Sequence, residues 1–108
     1  MSREKPLPDV KLQEMLIVLS TVLRRAERFG SHHIQLDPLS TRERMSQILE
    51  RVSGSGVRFI PFAALFDAEE GRLGVIFTFV AVLELWRENL VEVVQSDSFA
   101  PIHVKAAA

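Results

Sequence analysis

Residues 74–89 read GVIFTFVAVLELWREN, and how this stretch is placed decides the fold. Its length and apolar spacing predict a helix over about 72–88, bounded by Gly71 before it and Asn89 after it. At about 100° per residue, Thr78, Ala81, Glu84 and Glu88 form one less greasy stripe. Val75, Ile76, Phe79, Val80, Val82, Leu83 and Trp86 fill the rest, with Phe77 and Leu85 at the edges of the stripe. A helix that packs one face on a core needs only roughly 100° of apolar arc. Either this helix is central, covered on two sides, or part of its arc is an exposed patch that a partner covers.

The residues around it extend the pattern. After it, LVEVVQ (90–95) and FAPIHV (99–104) are β-rich runs separated by Ser96-Asp97-Ser98, which reads as a hairpin. Before it, VRFIPF holds a short extended piece over 57–60, and Pro61 opens a helical turn through Phe66. Asp67 to Gly71 reads as a solvated connection. Further upstream, Ser40-Thr41-Arg42-Glu43 is a capping-box pattern. It opens a helix over about 41–52, whose stripe is Met45, Ile48, Leu49 and Val52, stopped by SGSG (53–56). His33, Ile34, Gln35 and Leu36 alternate like a short strand.

A long amphipathic helix comes first, over residues 9–29 with Gly30 as its stop. Leu12, Met15, Leu16, Val18, Leu19, Val22, Leu23 and Ala26 keep helical spacing, and Asp9 is positioned as its N-cap. The organisation is therefore a polar tail (1–8), a leading helix (9–30), a compact domain (31–105) and a frayed terminus (106–108). The fold class expected is α+β and mainly helical: a winged helix, with three helices on a small antiparallel sheet closed by a C-terminal hairpin.

Composition narrows the chemistry. The chain has 108 residues, 47% hydrophobic and 25% charged, which is globular. With 13 Lys and Arg against 14 Asp and Glu, no global basic excess draws phosphate. There is no cysteine, hence no disulfide, thiolate ligand or cysteine nucleophile. MSREKPLPDV does not have the form of a signal peptide, and the apolar run 73–83 is far short of the roughly 20 residues of a membrane span. No membrane partner is expected, and the expected setting is the cytoplasm.

No site for catalysis, cofactor or metal is legible. His32 and His33 are adjacent, so on a strand they point to opposite faces, and His103 belongs to another strand. The SGSG glycines follow a helix, so they do not make a phosphate-binding helix N-terminus. DNA binding is the rival reading, because winged helices often read the major groove with the third helix. Residues 72–88 carry Arg72 and Arg87 against Glu84 and Glu88, with no Lys, Asn or Gln, and the hairpin turn carries Asp97. Those side chains suit neither bases nor phosphates.

PLSTRERM (38–45), FTFVAVLEL (77–85) and VVQSDSFAPIHV (93–104) together resemble the C-terminal part of the segregation and condensation protein A family, the bacterial kleisins. LPDVKLQEMLIVLSTVLRRAERF (7–29) is similar to that family's preceding helix. The resemblance implies a non-enzymatic strap in an SMC complex that condenses chromosomes. Its C-terminal winged helix would grip the SMC ATPase head. Segregation and condensation protein B, a small dimeric winged-helix partner, would bind elsewhere on the full-length protein. DNA would be engaged only indirectly, through a nucleoid-associated complex.

Two departures follow. The resemblance covers only the family's C-terminal part and not its N-terminal neck-binding domain, so the expectation is a C-terminal fragment that holds one head without closing a ring. Many members carry Gly-Asp where Ala100-Pro101 stand here, and Pro101 lacks a backbone donor, so pairing there should be interrupted or confined to an edge. On the resemblance, the partner-binding residues expected are Phe79, Leu83, Trp86, Val93, Gln95 and Phe99. Phe79 and Leu83 read equally well as core. Arg42 and Arg44 read as surface ion-pair residues or rim contacts, the surface reading being preferred.

Overall fold

A computed structural model describes residues 9–28, 40–54, 59–97 and 99–107. The order is α1 (Asp9–Arg28), α2 (Ser40–Gly54), β1 (Ile60–Pro61), two 3-10 turns (Phe62–Leu65 and Ala68–Glu70), α3 (Gly71–Arg87), β2 (Val91–Val94) and β3 (His103–Ala106). The strands form an antiparallel sheet in the order β1-β3-β2, so the last strand of the chain is the central one. This is a mainly helical α+β winged helix with a long helix ahead of it. The expected strand over 33–36, the Gly30 stop and the side chains of Asp9 and Ser40 lie outside what is described.

Local chemistry explains the boundaries. α3 ends where Asn89 takes a φ of 62°. Its amide donates to Trp86 O at 3.0 Å, and that of Leu90 donates to Leu85 O at 2.9 Å. These two bonds satisfy helix carbonyls in a Schellman cap, with Asn taking the place glycine usually fills. β3 starts only after Pro101, which has no amide for a ladder. The run expected as a strand from Phe99 is therefore a strand only from His103. Ile102 still serves pairing, because its carbonyl accepts from Phe62 N at 2.8 Å. At the other end the expected fraying is replaced by pairing. Ala106 sits opposite Val91, and Ala107 N donates to Leu90 O at 3.1 Å.

The connection over 67–71 is also more ordered than its sequence suggests. The Asp67 side chain accepts from Glu69 N at 3.0 Å and caps a 3-10 turn whose last residue, Glu70, is partly buried. The core gathers Met15 of α1, Ile48 and Val52 of α2, Phe62, Val82 and Leu85, and the inner sheet residues Val91, Val93 and Val104. Met15 is fully buried there, so α1 packs on the winged helix and helps close its core. A second cluster, Val22, Ala26 and Val75, continues the seam between α1 and α3.

Candidate protein-docking surface

α3 turns its small and polar residues inward. Gly71, Gly74, Val75, Thr78, Phe79, Ala81, Val82 and Leu85 are buried. Leu73 (55% exposed) and Val80 (38%) face solvent, with Ile76, Phe77 and Leu83 half-buried beside them. Half of the less greasy stripe that would have faced water thus lies in the interior: Thr78 and Ala81 are among the most buried residues of the helix.

The reason lies on α2. Arg44 donates through one guanidinium nitrogen to Glu70 Oε1 at 2.8 Å and to Thr78 Oγ1 at 2.9 Å, and through another to Glu70 Oε2 at 2.6 Å. The Thr78 hydroxyl in turn donates to Gly74 O at 2.9 Å. A bidentate pair of this kind is among the stronger polar contacts. The Arg44 side chain is only 12% exposed, so it is neither a surface nor a rim residue. The Glu70 hydrogen bond raises the Arg44 pKa, partial burial opposes it, and the charges of Glu70 and Asp67 add to the rise. Gly74, Thr78 and Ala81 share the helix face that meets this network, and their small volume admits α2 closely. The bulky residues of α3 then occupy both the core face and the outer face. Arg42, by contrast, is exposed and lines the groove between α2 and the end of α3.

The outer face carries little charge of one sign. Arg87 pairs with Glu84 at 2.9 Å, one turn apart on the helix. Around the sheet, Phe59, Val94, Gln95, Ser96, Pro101 and His103 line an open hollow of about 710 Å³. Phe59 meets the His103 ring edge-on at 6.4 Å, and Lys105 Nζ lies 5.5 Å from the Phe59 ring centre. Lys105 also pairs with Glu92 across the strands at 3.2 Å. Both edge strands of this sheet carry a feature that interrupts further pairing. Pro61 leaves β1 short of a donor, and Lys11 Nζ of α1 donates to Val93 O on β2 at 3.1 Å.

The expected contact residues do not form one patch. Phe79 and Val93 are core residues, beyond the reach of a partner in the folded domain. Leu83 and Trp86 are half-buried against the core. Gln95 is partly buried and donates to Glu14 Oε1 at 2.6 Å and to Ala100 O at 2.8 Å. Phe99, at the hairpin turn, is 82% exposed. Leu73 joins the surface although it precedes the quoted stretch. Its signal was spacing, since Leu73, Ile76, Phe77 and Val80 recur every three to four residues.

Residues 9–107 match the family model described as segregation and condensation protein ScpA. The chain belongs to the segregation and condensation protein A family. It is 48% identical over 101 residues to segregation and condensation protein A of Xylella fastidiosa strain Temecula1, covering 94% of this chain and 33% of that protein. It is 46% identical over 106 residues to the Coxiella burnetii protein of that name, covering 98% of this chain and 39% of the relative. The Listeria welshimeri protein is 33% identical over 99 residues, covering 90% and 39%. The chain thus spans between a third and two fifths of the length of these family members. Among the described residues no group of three or more His, Asp and Glu is placed to hold a metal, and no helix is long and apolar enough to cross a membrane.

Proposed function

We propose that this chain is a non-enzymatic adaptor, the winged-helix domain through which a kleisin grips the ATPase head of SMC in the complex that condenses and segregates chromosomes. One observation carries the reading: the solvent face of α3 presents Leu73, Ile76, Phe77, Val80 and Leu83 where a DNA reader would present cations and amides. Apolar side chains in a row on a small domain are the chemistry of a protein contact. Leu83, Trp86, Gln95 and Phe99 are the expected contact residues that solvent reaches in the folded domain, the first two on α3 and the other two at the hairpin turn. Segregation and condensation protein B would engage other parts of the full-length protein, and DNA would be held only through the assembled, nucleoid-associated complex.

The test is direct mixing. Purified chain and SMC head are run together on size-exclusion chromatography, and co-elution at equal stoichiometry is expected. Separate elution, combined with salt-sensitive retardation of a short DNA duplex, overturns the adaptor reading in favour of a DNA-binding regulator. Concentration-dependent self-association that excludes the head would assign the apolar face to a homodimer instead.

A further inference from the structure

A buried carboxylate ties α1 to the hairpin turn. Glu14 is 8% exposed, and its Oε1 accepts from Gln95 Nε2 at 2.6 Å and from the Phe99 backbone N–H at 2.6 Å. It makes no ion pair among the described residues, and the two N–H donors meet its Oε1 there. The turn is closed by Ala100 N donating to Asp97 O at 3.0 Å, and Gln95 binds the Ala100 carbonyl from inside.

Phe99 pays for this arrangement with a φ of 65°, in the left-handed region that favours glycine. Among the described residues Asn89 is the other non-glycine residue there, and a helix cap accounts for it. Phe99 takes its positive φ as the third residue of the turn that Ala100 N closes on Asp97 O, and the residue stands 82% exposed. An exposed aromatic residue in a turn whose backbone is held from behind by a buried carboxylate has the form of a preorganised contact.

We propose that Glu14 is a positioning residue for protein docking: through the Phe99 amide and Gln95 it holds the hairpin turn so that the Phe99 ring inserts into an apolar recess of the partner. The inference rests on the SMC-head reading for the identity of that partner. It makes α1 part of the docking module, since the group that sets the turn lies 85 residues away in sequence. An aromatic anchor held in its bound geometry loses less freedom on association.

Head affinity is measured by fluorescence anisotropy for the full chain and for Glu14→Ala, Glu14→Gln, Phe99→Gly and the Glu14→Ala/Phe99→Gly double variant. Phe99→Gly should weaken binding about tenfold or more without lowering the melting temperature, because glycine relieves the left-handed backbone. Glu14→Ala should weaken it by a similar factor, and the double variant no further. Glu14→Gln should bind like wild type, since its amide oxygen accepts the same two bonds. Wild-type affinity for Glu14→Ala, additive losses in the double variant, or a Gln variant as weak as Ala each overturn the proposal. The Phe99 amide resonance gives a second readout that needs no partner. It should lose its downfield shift in Glu14→Ala and keep it in Glu14→Gln. If the wild-type chain binds no head, the adaptor reading fails, and this resonance alone decides the positioning role. An unchanged shift in Glu14→Ala then overturns that role as well.

Discussion

The Arg44 guanidinium grips both carboxylate oxygens of Glu70, 2.8 and 2.6 Å away, and so bolts α2 to the turn that launches α3. Removing the cation leaves Glu70 and Thr78 short of a donor in a partly buried place. Arg44→Met, which keeps the apolar stem, should cost about 2 kcal/mol in chemical denaturation. The sign of the pH effect follows from the raised Arg44 pKa. A group whose folded pKa lies above its unfolded one stabilises fully below the unfolded value, and that stability fades only as pH climbs through the folded value. For an arginine that window is strongly alkaline. The difference between wild type and Arg44→Met should therefore hold from neutral into mildly alkaline buffer.

Gly74 offers a test of the close approach. In most helix interiors Gly→Ala stabilises by roughly 0.5–1 kcal/mol. Here a new Cβ would stand 2.5 Å from Glu70 Cβ and 3.3 Å from its Cδ, so the residue that holds Arg44 would have to move. Gly74→Ala should lose about 1 kcal/mol net, read by thermal unfolding. A raised melting temperature would sink this account of the helix junction.

Val80 and Val82 lie two residues apart on α3 and answer different questions. Val80 faces solvent and Val82 is fully buried. Val80→Lys should change stability by no more than about 0.5 kcal/mol and abolish co-elution with the SMC head. Val82→Lys should prevent folding, seen as loss of the helical circular-dichroism signal. Equal effects on folding would mean that α3 is rotated from the orientation described.

Phe62 anchors the other side of the core. It is fully buried, with Phe66 edge-on at 5.0 Å and Phe79 tilted at 6.2 Å. Phe62→Ala should cost about 3–5 kcal/mol, measured by denaturant titration, which a domain of this size barely survives.

Much of the fold was legible because it is written in local periods. The spacing of Met45, Ile48, Leu49 and Val52, the continuous apolar run of α3 and the two β-rich stretches around Ser96-Asp97 identify helix, helix and hairpin without any neighbour. The loop over 67–71 was misread because solvation was inferred from charge alone. Glu70 looks like any acidic loop residue until an arginine 26 positions earlier comes within bonding distance. Glu14 shows the same blindness. It borders the apolar stripe of α1, and only the return of the chain after 85 residues reveals what it holds.

By itself, then, the sequence determined that residues from about 72 to 88 form a helix too apolar for one core face and too poor in cations for DNA. Only the tertiary structure decided which side of that helix faces water. Polarity around a helix ranks its faces by hydration, but packing ranks them by volume and by available hydrogen-bond partners. Gly74, Thr78 and Ala81 are small, and Arg44 satisfies the Thr78 hydroxyl, so the face that looks polar in sequence became the helix junction. The same junction left Leu73 and Val80 outside, facing solvent.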